Sequence, residues 1–462
     1  MEEDYRRFLE NKLIKTQTSG FQINNINQSL FPWQWAVTKW ACRTGRAGLF
    51  EDCGLGKTAQ QLVWADEVAH MSGRPTLILA PLAVSRQTCR EGAKFDVPVN
   101  IAEMQADIKP GVNVTNYEKL EHFTPEAFGG LVLDESSILK AYMGHLKRLI
   151  TDAFYDTPYK LACSATPAPN DLMELLNQAE FLGVMKSSEA LSIWFVADQH
   201  ESGKYRLKGH AREDFWRWVS EWAVCISKPS DIGFSDEGYE LPPLTERDEI
   251  IPISELSDNW ANGMFRDIET SATGFHAEKR RTLKARCARS AELANATNEQ
   301  VVIWTYQNDE ADELRRLLPE AAEVRGSDTA SHKEQTALDF IDGKYRVLIS
   351  KPSIFGYGLN FQNCRNVIFN GLDYSYESYY QAVRRFYRFG QQLPVNVWRV
   401  IGSTELNILH VIDAKQRLKD EMEHGMSAAM KVNQMESIRG KHYTLNIEPN
   451  RYTVPNWLRE AI

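Results

Sequence analysis

The segment Glu51-Asp52-Cys53-Gly54-Leu55-Gly56-Lys57-Thr58 sets two glycines, a lysine and a hydroxyl in close succession. Phosphate binding asks for this combination. Glycines let backbone N–H groups approach the phosphates, a lysine reaches the β and γ oxygens, and a Ser or Thr hydroxyl holds Mg²⁺. Glu51 stands where the first glycine of G-x-x-x-x-G-K-[ST] usually falls; taken alone, Gly54 to Thr58 is also compatible with an ordinary turn. Further on, Leu131-Val132-Leu133-Asp134-Glu135 ends an apolar run in two carboxylates. Asp134 there can hold Mg²⁺ through water, and Glu135 can orient and deprotonate an attacking water; the other reading is a helix cap. Near the far end, Arg385 and Arg388 in Gln381-Ala382-Val383-Arg384-Arg385-Phe386-Tyr387-Arg388 share one helical face. Presented to a γ-phosphate, such guanidinium groups would neutralise transition-state charge; otherwise they form a solvated or phosphodiester-binding helix.

Elements that could position these groups follow from the hydrophobic pattern. Thr76 to Ala80 and Leu131 to Leu133 are short apolar runs of the kind found in parallel strands buried on both faces. They end at Pro81 and Asp134, where open α/β sheets place their ligands. Lys57 to His70 reads as a helix. The second half shows the same alternation, in that Val301 to Trp304, Arg346 to Ser350 and Asn366 to Asn370 read as strands, and Asn308 to Leu318 and Tyr376 to Phe389 as helices. Between the halves, Pro229 to Pro243 is rich in Gly, Pro, Ser and Asp and reads as a linker. Just before it, Phe215, Trp218, Val219 and Trp222 fall at helical spacing, which predicts a buried helix face; a base-stacking platform is the alternative. Lys279-Arg280-Arg281 with Lys284, Arg286 and Arg289 is either a border of a nucleic-acid path or a solvated face.

The chain is long enough, at 462 residues, for two or three domains. Its net charge of −9 argues against electrostatic coating of nucleic acid, but a motor needs basic groups only along one cleft. The 7 cysteines are dispersed, without a C-x-x-C pair, which points away from a zinc module and toward reduced thiols in a cytoplasmic setting. The acidic start Met1-Glu2-Glu3-Asp4 does not read as a signal peptide, and the run Thr76 to Val84 is too short to span a bilayer. No membrane association is expected.

Taken together, these segments resemble the SNF2-like group of superfamily 2 helicase-type motors, in the family's motif order from about residue 28 to 420. Phe31-Pro32-Trp33-Gln34 resembles the upstream glutamine motif, in which Gln34 would read the adenine edge. Gly54 to Gln60 is very close to the SNF2 form of motif I. Ala80 to Ser85 and Thr115-Asn116-Tyr117-Glu118 resemble motifs Ia and Ib, which implies strand-tracking contacts from Ser85 and Asn116. Asp134-Glu135-Ser136-Ser137 stands where the family carries its DEAH-like motif and departs from it at both serines, with Lys140 following as an implied nucleic-acid contact. Ser164-Ala165-Thr166-Pro167 looks like motif III, in which Ser164 and Thr166 would couple the ATP state to the nucleic-acid cleft. Gly356 to Gln362 is similar to motif V, which implies a nucleotide contact from Gly358 and nucleic-acid contacts from Ser350 and Lys351 just before it. The arginine helix matches motif VI, with Arg384 where the family usually has an acidic residue.

The resemblance implies an α/β fold of two tandem RecA-like lobes with parallel sheets and helical insertions between them. The expected division is an N-terminal extension over 1–27, lobe 1 over 28–235, lobe 2 over 236–425 and a tail over 426–462. ATP and Mg²⁺ are the implied substrate and cofactor. Gln34, Gly54, Leu55, Gly56, Lys57 and Thr58 would bind nucleotide, Thr58 and Asp134 the metal, and Lys57, Asp134, Glu135, Gln381, Arg385 and Arg388 would carry the chemistry. The implied function is a monomeric motor on duplex or branched DNA, compact enough to suit a prokaryotic or viral cytoplasmic protein; its protein partners are not implied. A strand-separating DNA or RNA helicase is the alternative. A non-hydrolysing scaffold is a third reading, opposed by the intact lysine, carboxylates and arginines.

Overall fold

A computed structural model describes residues 19–23, 27–81, 84–140, 144–198, 204–252, 272–355, 360–433 and 438. In the first half the strands are β1 (Arg46–Glu51), β2 (Thr76–Ala80), β3 (Val99–Ile101), β4 (Val112–Asn116), β5 (Gly130–Asp134), β6 (Tyr159–Cys163), β7 (Phe195–Ala197), β8 (Tyr205–Leu207) and β9 (Ala223–Ile226). Seven of them form one parallel sheet in the order β3-β4-β2-β5-β6-β1-β9, and β7 and β8 make a separate antiparallel pair. Strands β2, β4 and β9 are buried along their whole length; β2 and β9 show the continuous apolar runs this calls for, whereas β4 buries the polar side chains of Asn113, Thr115 and Asn116.

The second half adds β10 (Leu244–Ile251), β11 (Val301–Trp304), β12 (Ala322–Glu323), β13 (Val347–Ser350), β14 (Asn366–Asn370) and β15 (Val395–Gly402), paired in parallel as β10-β15-β14-β11-β13-β12. Its sheet carries a core on each face, one around Trp304, Phe361 and Phe386, the other around Ile303, Ile349 and Ile368. Two parallel α/β sheets in series, each with helices across its connections, make the two RecA-like lobes expected. The expected strands of the second half and helix Asn308–Leu317 lie where the pattern placed them, but the helix expected over Tyr376 to Phe389 ends at Val383, so Arg385 and Arg388 lie in the turn that follows and not on one helical face.

Helices inserted between β6 and β9 complete lobe 1. Helix Arg212–Trp222 buries Phe215, Trp218, Val219 and Trp222, and Trp218 stacks on Trp194 with ring centroids 4.4 Å apart. This is a packed face, so the stacking-platform alternative fails: no ring surface remains for a base. The last helix, Leu406–Asn433, runs through the expected boundary at 425/426. Ile408, Leu409 and Ile412 near its start belong to the lobe 2 core, whereas Met422, Met426 and Met430 belong to the core of lobe 1. At 1.5 Å per residue it spans about 42 Å, one continuous strut packed against both lobes. Among the described residues no helix is long and apolar enough to cross a membrane, and all seven cysteines are free thiols.

The basic run beginning at Lys279 divides: Arg280, Arg281 and Lys284 are exposed, as a solvated face requires, and Arg289 is part-exposed, but two of its members turn inward. It lies on helix Ala272–Asn295, and Lys279 and Arg286 are buried inside lobe 2. Arg286 pairs with Glu310 at 2.9 Å, donates to the carbonyl of Asn370 at 2.7 Å and lies 3.6 Å from Glu405. Lys279 sits over the Tyr306 ring at 4.4 Å. A guanidinium at the centre of a lobe needs its donors satisfied, and the partners come from three distant segments.

Candidate active site

Strand order decides which loops meet. β5, β6 and β1 are neighbours, so their C-terminal ends bring the acid pair, Ser164 and the glycine loop side by side at the edge where α/β sheets bind ligands. Helix Lys57–Ser72 starts directly from Gly56, which has φ 82° and supplies no side-chain cap. The first N–H groups of that helix therefore face the loop without a side-chain acceptor, an arrangement suited to phosphate oxygens. Gly54 also takes a positive φ, 88°, and a Cβ there would lie 3.0 Å from the Phe389 nitrogen and 3.2 Å from Arg388 Cβ. Glycine is required at this position on two grounds: the backbone conformation and the close approach of lobe 2.

Gln34 holds the loop from behind. Its Nε2 donates to the Leu55 carbonyl at 2.7 Å, and its Oε1 accepts from Phe31 N–H at 3.0 Å. A Cβ on Gly56 would come within 2.4 Å of that Nε2. Here Gln34 fixes the loop's shape with the same amide expected to read adenine. Lys57 Nζ donates to the carbonyls of Glu51 and Asp52 at 2.7 and 3.1 Å. Burial draws its pKa down, but anionic neighbours including Cys53, Glu135, Glu51 and Asp52 outweigh this and hold the ammonium above its ordinary value.

Asp134 Oδ1 accepts from Gln61 Nε2 at 2.9 Å, and its backbone carbonyl accepts from the Tyr117 hydroxyl at 2.7 Å. Both carboxylates keep part of their surface open, yet the surrounding walls push them up: Asp134 above its ordinary value, Glu135 to about 7. For Glu135 burial dominates, Lys57 and Arg385 oppose it, and Asp134 and Glu377 add to it. Glu135 takes a left-handed φ of 60°, a conformation costing a non-glycine residue about 1–3 kcal/mol and concentrated at functional sites. Ser164 donates to Glu135 Oε2 at 3.3 Å and accepts from Thr166 N–H at 3.0 Å. Of the expected coupling pair, Ser164 is therefore in direct contact with the expected base, and Thr166 reaches it only through Ser164.

From lobe 2, helix Tyr376–Val383 and the turn after it deliver Gln381, Arg385 and Arg388. Gln381 is buried, while Arg385 and Arg388 are part-exposed. Thr58 lies part-exposed in the first turn of the loop helix. Gly358 lies outside the described residues. The hydroxyl of Thr58 and the carboxylate of Asp134 are hard oxygen donors of the kind Mg²⁺ takes. Among the described residues no group of three or more His, Cys, Asp or Glu could hold a metal, so a Mg²⁺ ion here would complete its shell from water and phosphate oxygens.

The expected nucleic-acid contacts fare differently. Ser85 and Asn116 are both buried, and Ser85 Oγ donates to Asn116 Oδ1 at 3.0 Å. Lys140 donates to Glu377 Oε2 of lobe 2 at 2.8 Å, where Ser137 also donates to Oε1 at 2.5 Å. Ser350 is buried and its hydroxyl donates to the Val324 carbonyl at 3.0 Å. Lys351 is part-exposed. Four of these five side chains are thus engaged within the protein, one of them across the lobe junction.

Sequence reasoning missed Gln61, which orients Asp134, and Glu377, which ties the acid-pair turn to helix Tyr376–Val383 ahead of the arginine turn. A glutamine following Gln60 on the loop helix was a readable signal for the first. Glu377 carries none, because its partners lie more than 200 residues away.

Comparison with known proteins agrees with this geometry. The family model "Helicase conserved C-terminal domain" matches residues 283–390, the part of lobe 2 that ends with the arginine turn. Protein p41 of Acyrthosiphon pisum secondary endosymbiont phage 1 is 23% identical over 452 residues, covering 84% of this chain and 96% of that protein. YwqA of Bacillus subtilis, provisionally named an ATP-dependent helicase/translocase, is 23% identical over 437 residues, covering 81% of this chain; the chain spans 46% of its length. A solved structure described as the Sulfolobus solfataricus SWI2/SNF2 ATPase core in complex with dsDNA has 20% identity, covers 91% of this chain and 98% of its own, and has a TM-score of 0.43. A helicase C-terminal domain model thus falls on the arginine-bearing lobe, while the glycine loop, acid pair and serine motif lie on adjacent strands of the other, and in both respects the chain is similar to helicase-family ATP-dependent motors.

Proposed function

We propose that the protein hydrolyses ATP between its lobes and uses the resulting closure and release to move along duplex or branched DNA, acting as a monomer. The observation that carries this reading is the setting of Glu135: its carboxyl is influenced by Lys57 and Asp134 of its own lobe and by Arg385 of the other. Lys57 and the loop N–H groups would bind the phosphates, and Thr58 with Asp134 would hold Mg²⁺, which when bound neutralises phosphate charge. Glu135, with a pKa of about 7, takes the proton from the attacking water. Arg385 and Arg388 reach the phosphates only when lobe 2 is docked, so turnover is gated by closure. Gln381 is assigned to the same cleft.

Duplex DNA is favoured over single strands and RNA by the SNF2-like spelling of Gly54 to Gln60 and of Gln381 to Gln391. ATPase rates without nucleic acid and with single strand, duplex, branched DNA or RNA test it. The expected order places duplex and branched DNA highest. Strong stimulation by single-stranded RNA with none by duplex would move the protein to the strand-separating alternative and leave the ATP chemistry standing.

A further inference from the structure

The glycine loop carries one side chain with no part in the phosphate chemistry above. Asp52 is buried, and its carboxylate accepts the Cys53 N–H at 2.6 Å from its own loop. Its other partners come from lobe 2: the Tyr380 hydroxyl donates to Oδ1 and the Arg384 guanidinium to Oδ2. Arg384 is held between two rings, 5.1 Å from the centroids of both Tyr380 and Tyr387. Burial pushes the Asp52 carboxyl up, but Arg384, Lys419, Tyr380 and the Cys53 N–H together hold it below its ordinary value. Lys419 comes from the strut helix, with its ammonium 4.8 Å from the Tyr380 ring.

We propose that Asp52 and Arg384 are positioning residues that set the register of the arginine turn against the glycine loop, and so the placement of Arg385 and Arg388 for hydrolysis. Arg384 immediately precedes Arg385, and the Asp52 contact lies two residues from Gly54, whose Cα faces the Arg388–Phe389 backbone. The loop thus meets the turn at two points: a charge pair at one and backbone contact at the other. Two points fix the turn's orientation as well as its distance, and backbone contact alone would leave it free to pivot. A bidentate-capable guanidinium stacked between aromatic faces is suited to hold such a register. The inference rests on the ATPase reading for its effect on turnover, but not for its effect on the lobes.

The test is a double-mutant cycle in the full chain with Asp52→Asn, Arg384→Gln and both together, plus Arg384→Lys. Misplacing the arginines should lower kcat roughly 10- to 100-fold in each single variant, with KM for ATP nearly unchanged. The double variant should be no slower than the worse single, because each residue acts through the other, and Arg384→Lys should recover part of the rate. Additive losses, or a raised KM at unchanged kcat, would overturn the proposal. The distance between a fluorophore on each lobe, measured without nucleotide, should lengthen or broaden in both single variants. An unchanged distance overturns the proposal whatever the rates. A parent chain that turns over no ATP, with variants that open the lobes, would retire the motor reading and leave the pair standing.

Discussion

At the scale of single residues, the proposed function sorts the site into groups that would bind and groups that would react. Lys57 makes the loop's charge-assisted contacts, so Lys57→Ala should weaken ATP binding by about 1.5–3 kcal/mol, with a further loss of turnover. A calorimetric titration that finds parent affinity would move the nucleotide site elsewhere. Glu135→Gln should keep ATP and Mg²⁺ binding but stop turnover, since an amide cannot accept the water's proton; loss of binding in place of turnover would contradict the role assigned. With Glu135 raised to about 7 and acting, on the proposed function, as the carboxylate, kcat/KM should fall tenfold per pH unit below about 7 and level off above it. Glu51 is also raised to about 7, by burial, with Gln60 donating to its Oε2 at 2.7 Å. The acid limb should therefore survive Glu51→Gln, and a limb that disappears in that variant would name Glu51 as the titrating group.

At the scale of elements, the strut helix shows what local sequence hides. Gly425 sits mid-helix, where alanine ordinarily stabilises by roughly 0.8–1 kcal/mol, yet a Cβ there would lie 2.4 Å from Trp216 Nε1. Gly425→Ala should therefore destabilise the fold, by about 1–3 kcal/mol as overpacking does, and a raised Tm would show that the helix does not dock as described. The glycine loop, the acid pair and the strands ending in them were legible because phosphate chemistry and buried parallel strands each impose a local pattern. Arg286 was not, since Glu310 and Asn370, which neutralise and bond it, lie 24 and 84 residues away and nothing near it in sequence distinguishes it from a surface arginine. The same holds for Lys140, whose partner Glu377 lies in the other lobe. Basic side chains in a run read as a nucleic-acid surface until their long-range acids are known.

At the scale of the whole molecule, a net charge of −9 means that the proposed binding of DNA would have to rest on a restricted basic track. Affinity for duplex should then fall steeply with salt and depend little on base sequence. Directed movement on intact duplex, coupled to hydrolysis, is the property on which the motor reading stands, and displacement of a third strand from a DNA triplex reports it. The protein should release the third strand with ATP, leave the underlying duplex paired, and fail with a non-hydrolysable analogue or as Glu135→Gln. Vigorous ATP hydrolysis on the same duplex with the third strand left in place, or release of the strand without ATP, would contradict that reading.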